Sequence, residues 1–151
     1  MFLFCFNFAN VQNISYICRK FERIIIMNAH TCLLCIGSNI DRGPHMKAAR
    51  EALTSAFPNI RWGIEMETEA IGSGFLSPFS NQVALFDTSL SAEEVRTILK
   101  QIERDNGRLP EDKAQGIVKL DIDLLKFDDY VLKPKDLEKD FVMEGIKLLT
   151  L

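Results

Sequence analysis

Between residues 119 and 127 apolar and polar positions alternate. Leu120, Ile122 and Leu124 fall on one side, Asp121 and Asp123 on the other. Successive side chains of a strand point to opposite faces, so this stretch predicts a strand that buries its aliphatics and projects both carboxylates together. Residues 60–69 show the same period: Ile60, Trp62, Ile64, Met66 and Thr68 alternate with Arg61, Gly63, Glu65, Glu67 and Glu69. That predicts a second, half-buried strand. Residues 30–36 read as a first strand closed by the loop signal Gly37-Ser38-Asn39, and residues 81–87 as a further strand with Val83 and Leu85 on one face.

Helical spacing takes over elsewhere. Behind Pro44, the residues Met46, Ala49, Leu53, Ala56 and Phe57 form a helical stripe that Pro58-Asn59 stops. Ser91 and Glu94 form a capping box before the stripe Val95, Ile98, Leu99 and Ile102, and Asn106-Gly107 closes that helix. The order strand, helix, strand, strand, helix, strand is that of an α+β, ferredoxin-like βαββαβ antiparallel sheet with helices packed on one face. Beyond Pro134, residues 136–149 predict a C-terminal helical segment through Leu137, Phe141 and Leu148.

Residues 1–26 lack either period. Five of the eleven phenylalanines fall there (Phe2, Phe4, Phe6, Phe8 and Phe21), and the basic residues Arg19, Lys20 and Arg23 follow the apolar run instead of preceding it as in a signal peptide. This stretch reads as an extension outside the domain, with Met27 as the start and 27–151 as the folded unit. The remaining bounds are those of one globular domain: 151 residues, 47% hydrophobic, 26% charged. A net charge of −3 argues against non-specific nucleic-acid binding. No apolar run is long enough to span a bilayer. Cys32 and Cys35 have C-x-x-C spacing, but on a strand an i, i+3 pair points to opposite faces and cannot share an ion. They read as thiols of a reducing, cytoplasmic setting.

Side-by-side carboxylates at Asp121 and Asp123 form either a solvated polar face or a site for Mg²⁺, which takes one or two carboxylates and leaves its other positions to water and phosphate. In the loop 71–79, Phe75, Leu76 and Phe79 either pack on the core or line a pocket for a flat ligand.

Taken together, Gly37-Ser38-Asn39, the run from Thr68 to Asn81, Ile102-Glu103 before Gly107-Arg108, and Leu120-Asp121-Ile122-Asp123 resemble the 6-hydroxymethyl-7,8-dihydropterin pyrophosphokinase family over roughly residues 31–143. The resemblance implies transfer of pyrophosphate from ATP to a reduced pterin in folate biosynthesis, with release of AMP. It implies small-molecule substrates, two Mg²⁺ ions on Asp121 and Asp123, and a catalytic role for Arg108. It places the pterin against Thr68, Ile71, Phe79, Asn81 and Phe141. It places the nucleotide against Glu103, Arg108, Lys119, Leu124, Lys135 and Lys139. Phe141 read alone is equally a core residue of a terminal helix.

The chain departs from the family's pattern just before the carboxylates. Where the family reads Trp-Gly-Pro-Arg-Thr-Leu, this chain reads Gln115-Gly116-Ile117-Val118-Lys119-Leu120. Pro110 stands where a second basic loop residue is common, Lys135 and Lys139 replace a histidine and an arginine, and the connection from Phe127 to Pro134 is short. Two readings therefore stand side by side, a pyrophosphokinase and a divergent pterin- or nucleotide-binding module with little or no catalysis. The sequence leaves the oligomeric state open, and a monomer is compatible with it.

Overall fold

The strand His30–Ser38 (β1) is apolar on both faces, and that makes it the centre of the sheet. A computed structural model of the chain describes residues 29–70, 74 and 77–149. The expected extension 1–26 and start at Met27 lie outside the described residues. After β1 come helix α1 (Arg42–Ala56), strands β2 (Arg61–Trp62), β3 (Met66–Thr68) and β4 (Phe79–Thr88), and helix α2 (Ala92–Asp105). A 3₁₀ turn (Asp112–Gln115) leads to strands β5 (Asp121–Phe127) and β6 (Tyr130–Val131), then helices α3 (Pro134–Leu137) and α4 (Asp140–Leu149). The sheet order is β2-β4-β1-β5-β6, with β3 also pairing β4. Every pairing is antiparallel. This is the split βαβ topology of a ferredoxin-like α+β fold.

The two faces of the sheet are covered differently. On one face Cys32, Leu34 and Ile36 of β1, Ala84 and Phe86 of β4, and Ile122 and Leu124 of β5 meet Met46, Ala49 and Leu53 of α1 and Val95, Leu99 and Ile102 of α2. Phe57 and Phe86 stack there with ring centroids 4.1 Å apart. The helix α2 begins at the expected capping box: Glu94 N–H donates to Ser91 Oγ, and Ser91 N–H donates to the Glu94 carboxylate. On the other face Leu33, Val83 and Leu125 pack under Val142 of α4. A Cβ at Gly145 would sit 2.4 Å from Val83 Cγ2, so glycine is what lets α4 lie this close to the sheet.

Four features differ from the sequence expectation. The strand predicted over 60–69 is broken at 63–65. Gln82 Nε2 donates to the Gly63 carbonyl at 2.7 Å, and Gly63 N–H donates to the Val83 carbonyl at 2.9 Å. Across this break the register against β4 slips by one residue, from Trp62 opposite Ala84 to Met66 opposite Asn81. A one-residue slip exchanges the faces. Trp62 therefore packs on the helix-covered side while Met66 and Thr68 turn to the open side, and Ile64 is left 57% exposed. The tail forms two helices instead of one. A short hairpin at β6, reversed at Asp128 with φ of 52°, had no counterpart in the periodicity. Finally, α4 covers the second face of the sheet, so the helices do not all share one side.

Candidate active site

The register of the three central strands sets out the site. Gly37 of β1 lies between Asn81 of β4 and Asp121 of β5, and Cys35 lies between Val83 and Asp123. A Cβ at Gly37 would stand 2.8 Å from Asn81 Oδ1, so the missing side chain is the space that the Asn81 amide fills. Asn81 Nδ2 donates to Thr68 Oγ1 at 2.7 Å, a contact that depends on the register slip before β3.

Two cavities open on either side of the carboxylates. The first, about 790 Å³, has Thr68, Phe79, Asn81, Phe141, Cys35 and Lys139 in its wall. The second, about 500 Å³, has Lys100, Arg108, Lys133, Pro110 and Val118 in its wall. Phe79, Asp121 and Asp123 line both.

Each carboxylate faces a cation. The Arg108 guanidinium donates to Asp121 Oδ1 and lies 2.9 Å from Glu103 Oε2. Lys133 Nζ lies 3.2 Å from Asp123 Oδ1. Burial alone would lower the Arg108 pKa, but Asp121 and Glu103 outweigh it and hold the guanidinium above its ordinary value. Asp123, chiefly through its charge, raises Lys133. Glu103 is only 2% exposed and is fully satisfied: its carboxylate also accepts from Ile122 N–H at 2.7 Å and from Lys100 Nζ at 2.8 and 3.0 Å. Burial pushes the Cys35 thiol up to about 12, with Asp123 adding to the shift. The thiol in the first cavity is thus protonated and poorly nucleophilic at neutral pH.

The Gly37-Ser38-Asn39 turn ties the loops around both cavities to β1. The Asn39 side chain donates to the Gly116 carbonyl at 2.8 Å and accepts from Val118 N–H at 2.7 Å. Its backbone carbonyl accepts from Ser77 Oγ at 2.5 Å.

The residues singled out from sequence fall into distinct places. Thr68, Phe79, Asn81 and Phe141 share the first cavity, and Asp121 and Asp123 form its border with the second. Ile71 lies outside the described residues. Of the residues expected around the nucleotide, Arg108 lines the second cavity, and Glu103 lies behind it, holding Arg108 and Lys100. Leu124 points to the opposite face and is 5% exposed among α1 and α2. Lys119 Nζ is drawn to the Gly107 carbonyl at 2.9 Å and to Asp112 at 3.2 Å, and lines neither cavity. Lys135 also lines neither. Lys139 sits on the first cavity, 6.0 Å above the Phe141 ring centroid. Lys100 and Lys133 were not foreseen. The sequence signal for Lys133 is the Asp128-Asp129 turn, which returns the chain beside β5; for Lys100 it is the helical i, i+3 relation to Glu103.

The donor set decides which cation fits at Asp121 and Asp123. Both are hard oxygen ligands on one strand face, with side chains 37% and 29% exposed. Among the described residues no three His, Cys, Asp or Glu side chains converge to hold an ion alone. Two carboxylates with room for water and ligand oxygens suit Mg²⁺ and do not suit a closed zinc site.

The sequence profile of 7,8-dihydro-6-hydroxymethylpterin-pyrophosphokinase matches residues 33–150. No curated protein matches the chain. Among solved structures, a de novo designed protein with ferredoxin fold, determined by solution NMR, is similar over 67% of this chain and 87% of its own, at 13% identity and a TM-score of 0.31. Among the described residues no helix is long and apolar enough to cross a membrane. The profile match takes in every strand that contributes to the two cavities, from within β1 through α4, and on that ground the chain belongs to the 7,8-dihydro-6-hydroxymethylpterin-pyrophosphokinase family.

Proposed function

We propose that the chain transfers the pyrophosphoryl group of ATP to 6-hydroxymethyl-7,8-dihydropterin in a Mg²⁺-dependent reaction that releases AMP, as part of folate biosynthesis. The observation that carries this reading is the border position of Asp121 and Asp123, which face both cavities at once. A transfer between two substrates needs such a border, because donor and acceptor must meet within contact distance.

The first cavity suits the pterin. Phe79 and Phe141 offer aromatic surface to a planar heterocycle, and Asn81 with Thr68 offers a polar edge. The second cavity suits the triphosphate. The pterin hydroxymethyl oxygen attacks the β-phosphorus, a new P–O bond forms, and the bond from the β-phosphorus to the oxygen bridging it to the α-phosphorus breaks, so AMP leaves with that bridging oxygen. Asp121 and Asp123 would hold Mg²⁺, which would neutralise phosphate charge. Arg108 stands beside Asp121 and can follow the charge that shifts toward the leaving oxygen. Phe79, in the wall of both cavities, offers apolar surface beside the carboxylates.

Binding without turnover is the second reading, favoured by Val118 and Pro110, which present apolar surface to the cavity that takes the phosphates. AMP release from Mg-ATP, measured with and without 6-hydroxymethyl-7,8-dihydropterin, separates the two. Pterin-dependent AMP is the expected result; pterin binding by fluorescence quenching with no AMP would leave only the binding module. A cytoplasmic setting is the compartment this reading takes, in keeping with the free thiols of Cys32 and Cys35.

A further inference from the structure

We propose that Lys133, seconded by Lys100, supplies phosphate-binding charge in the second cavity in addition to Arg108. The inference rests on the reading of ATP as the donor and names which side chains of this chain grip its phosphates.

From the loop before β5, Arg108 lines the second cavity but is held by Asp121 and Glu103, while Pro110, Ile117 and Val118 add apolar wall, so the remaining cations come from elsewhere. Lys133 arrives through the short connection after β5. The chain reverses at Asp128, where φ is 52°, and Leu132 and Lys133 both donate their N–H to the Leu125 carbonyl, at 2.9 and 3.3 Å. This tight return sets Lys133 opposite Asp123 in the wall of the second cavity, with its side chain 49% exposed. Lys100 reaches the same cavity from α2, aimed by the buried Glu103, and is likewise 49% exposed. Both ammonium groups can turn from a carboxylate to a phosphate oxygen without moving the backbone, because three donors on a flexible stem re-aim easily. Lysine offers a point charge and no bidentate fork, so the grip on the phosphates depends on charge more than on geometry.

The test uses the full chain and calorimetric titration of Mg-α,β-methylene-ATP, whose blocked bridge prevents transfer, with adenosine as the phosphate-free control. Lys133→Met is expected to weaken the triphosphate about tenfold, the usual worth of one charged hydrogen bond. Lys133→Arg should keep most of the affinity, and Lys100→Met should shift it in the same direction as Lys133→Met. Adenosine and pterin affinities should stay unchanged in all three. Lys133→Met binding the analogue as tightly as wild type, or losing adenosine and triphosphate equally, overturns the proposal. Its failure is distinct from failure of the reaction itself. A chain that binds the triphosphate through Lys133 but releases no AMP keeps this inference and loses the reaction. A chain that turns over with Lys133→Met binding normally does the reverse.

Discussion

The two cavities are built in opposite ways. The first stands on strand register: Asn81 over Gly37, Thr68 turned inward by a one-residue slip, and Phe141 one helical turn before the Gly145 contact. The second stands on side chains that reach in from a helix, a loop and a hairpin. A register-built wall has little freedom, because moving one residue moves a whole ladder. A wall made of long side chains tolerates exchange, since charge lost at one position can be supplied from another. On our proposal the polar edge of Asn81 and Thr68 serves the first cavity, and Lys100 and Lys133 bring charge to the second.

Consequences of that contrast differ in size. The largest effect is expected at the shared border. Asp121→Ala or Asp123→Ala should cut AMP release by about 10³-fold or more, the scale of several kcal/mol of charge stabilisation. Pterin quenching should survive in both variants. Unchanged Mg-ATP affinity would remove the carboxylates from the metal site. Next comes Gly145→Ala, whose methyl would stand 2.4 Å from Val83 Cγ2. It should lower stability by about 1–3 kcal/mol and loosen α4, weakening pterin more than nucleotide. An unchanged melting temperature would show that the helix is not seated there. Gly37→Ala is subtler, because its methyl meets the Asn81 amide at 2.8 Å and a side chain can give way. It should weaken pterin about tenfold through the lost Asn81–Thr68 pairing, with Mg-nucleotide binding unaffected. Equal loss of both ligands would mean that the cavities are not separable.

The smallest effect concerns the covered face. Burial holds the Cys32 thiol at about 12, against 9.0 for the free group. Above about pH 9 the unfolded chain gives up that proton and the folded chain does not. Stability should therefore be complete below that pH and fall as pH rises, by at most about 1.4 kcal/mol per unit for this group. Cys32→Ala should flatten that part of a denaturant-midpoint profile; an unaltered slope would argue against it.

What could be read from sequence follows the same division. The Asp121-x-Asp123 strand and the Ser91–Glu94 capping box are local patterns, each fixed by spacing within a few residues, and both are found in place. The face exchange between Trp62 and Met66 is not local. It is set by Gln82, on the partner strand, which takes up the Gly63 carbonyl, and alternation alone continued the strand straight through. The place of Lys133 is non-local for a similar reason. Its place depends on a hairpin that pairs residues on either side of the Asp128-Asp129 turn, and no periodicity marks a strand of two residues. The resemblance gives Leu124 to the nucleotide; its alternation with Asp123 puts its side chain on the helix-covered face, where it is found.

The most direct test of the two-cavity account is a pterin titration in the presence and absence of saturating Mg-α,β-methylene-ATP. The account predicts one pterin and one nucleotide bound per chain at the same time, with pterin affinity no weaker when the nucleotide is present. Mutually exclusive binding would mean that both ligands compete for one cavity, and would contradict a transfer site bordered by Asp121 and Asp123.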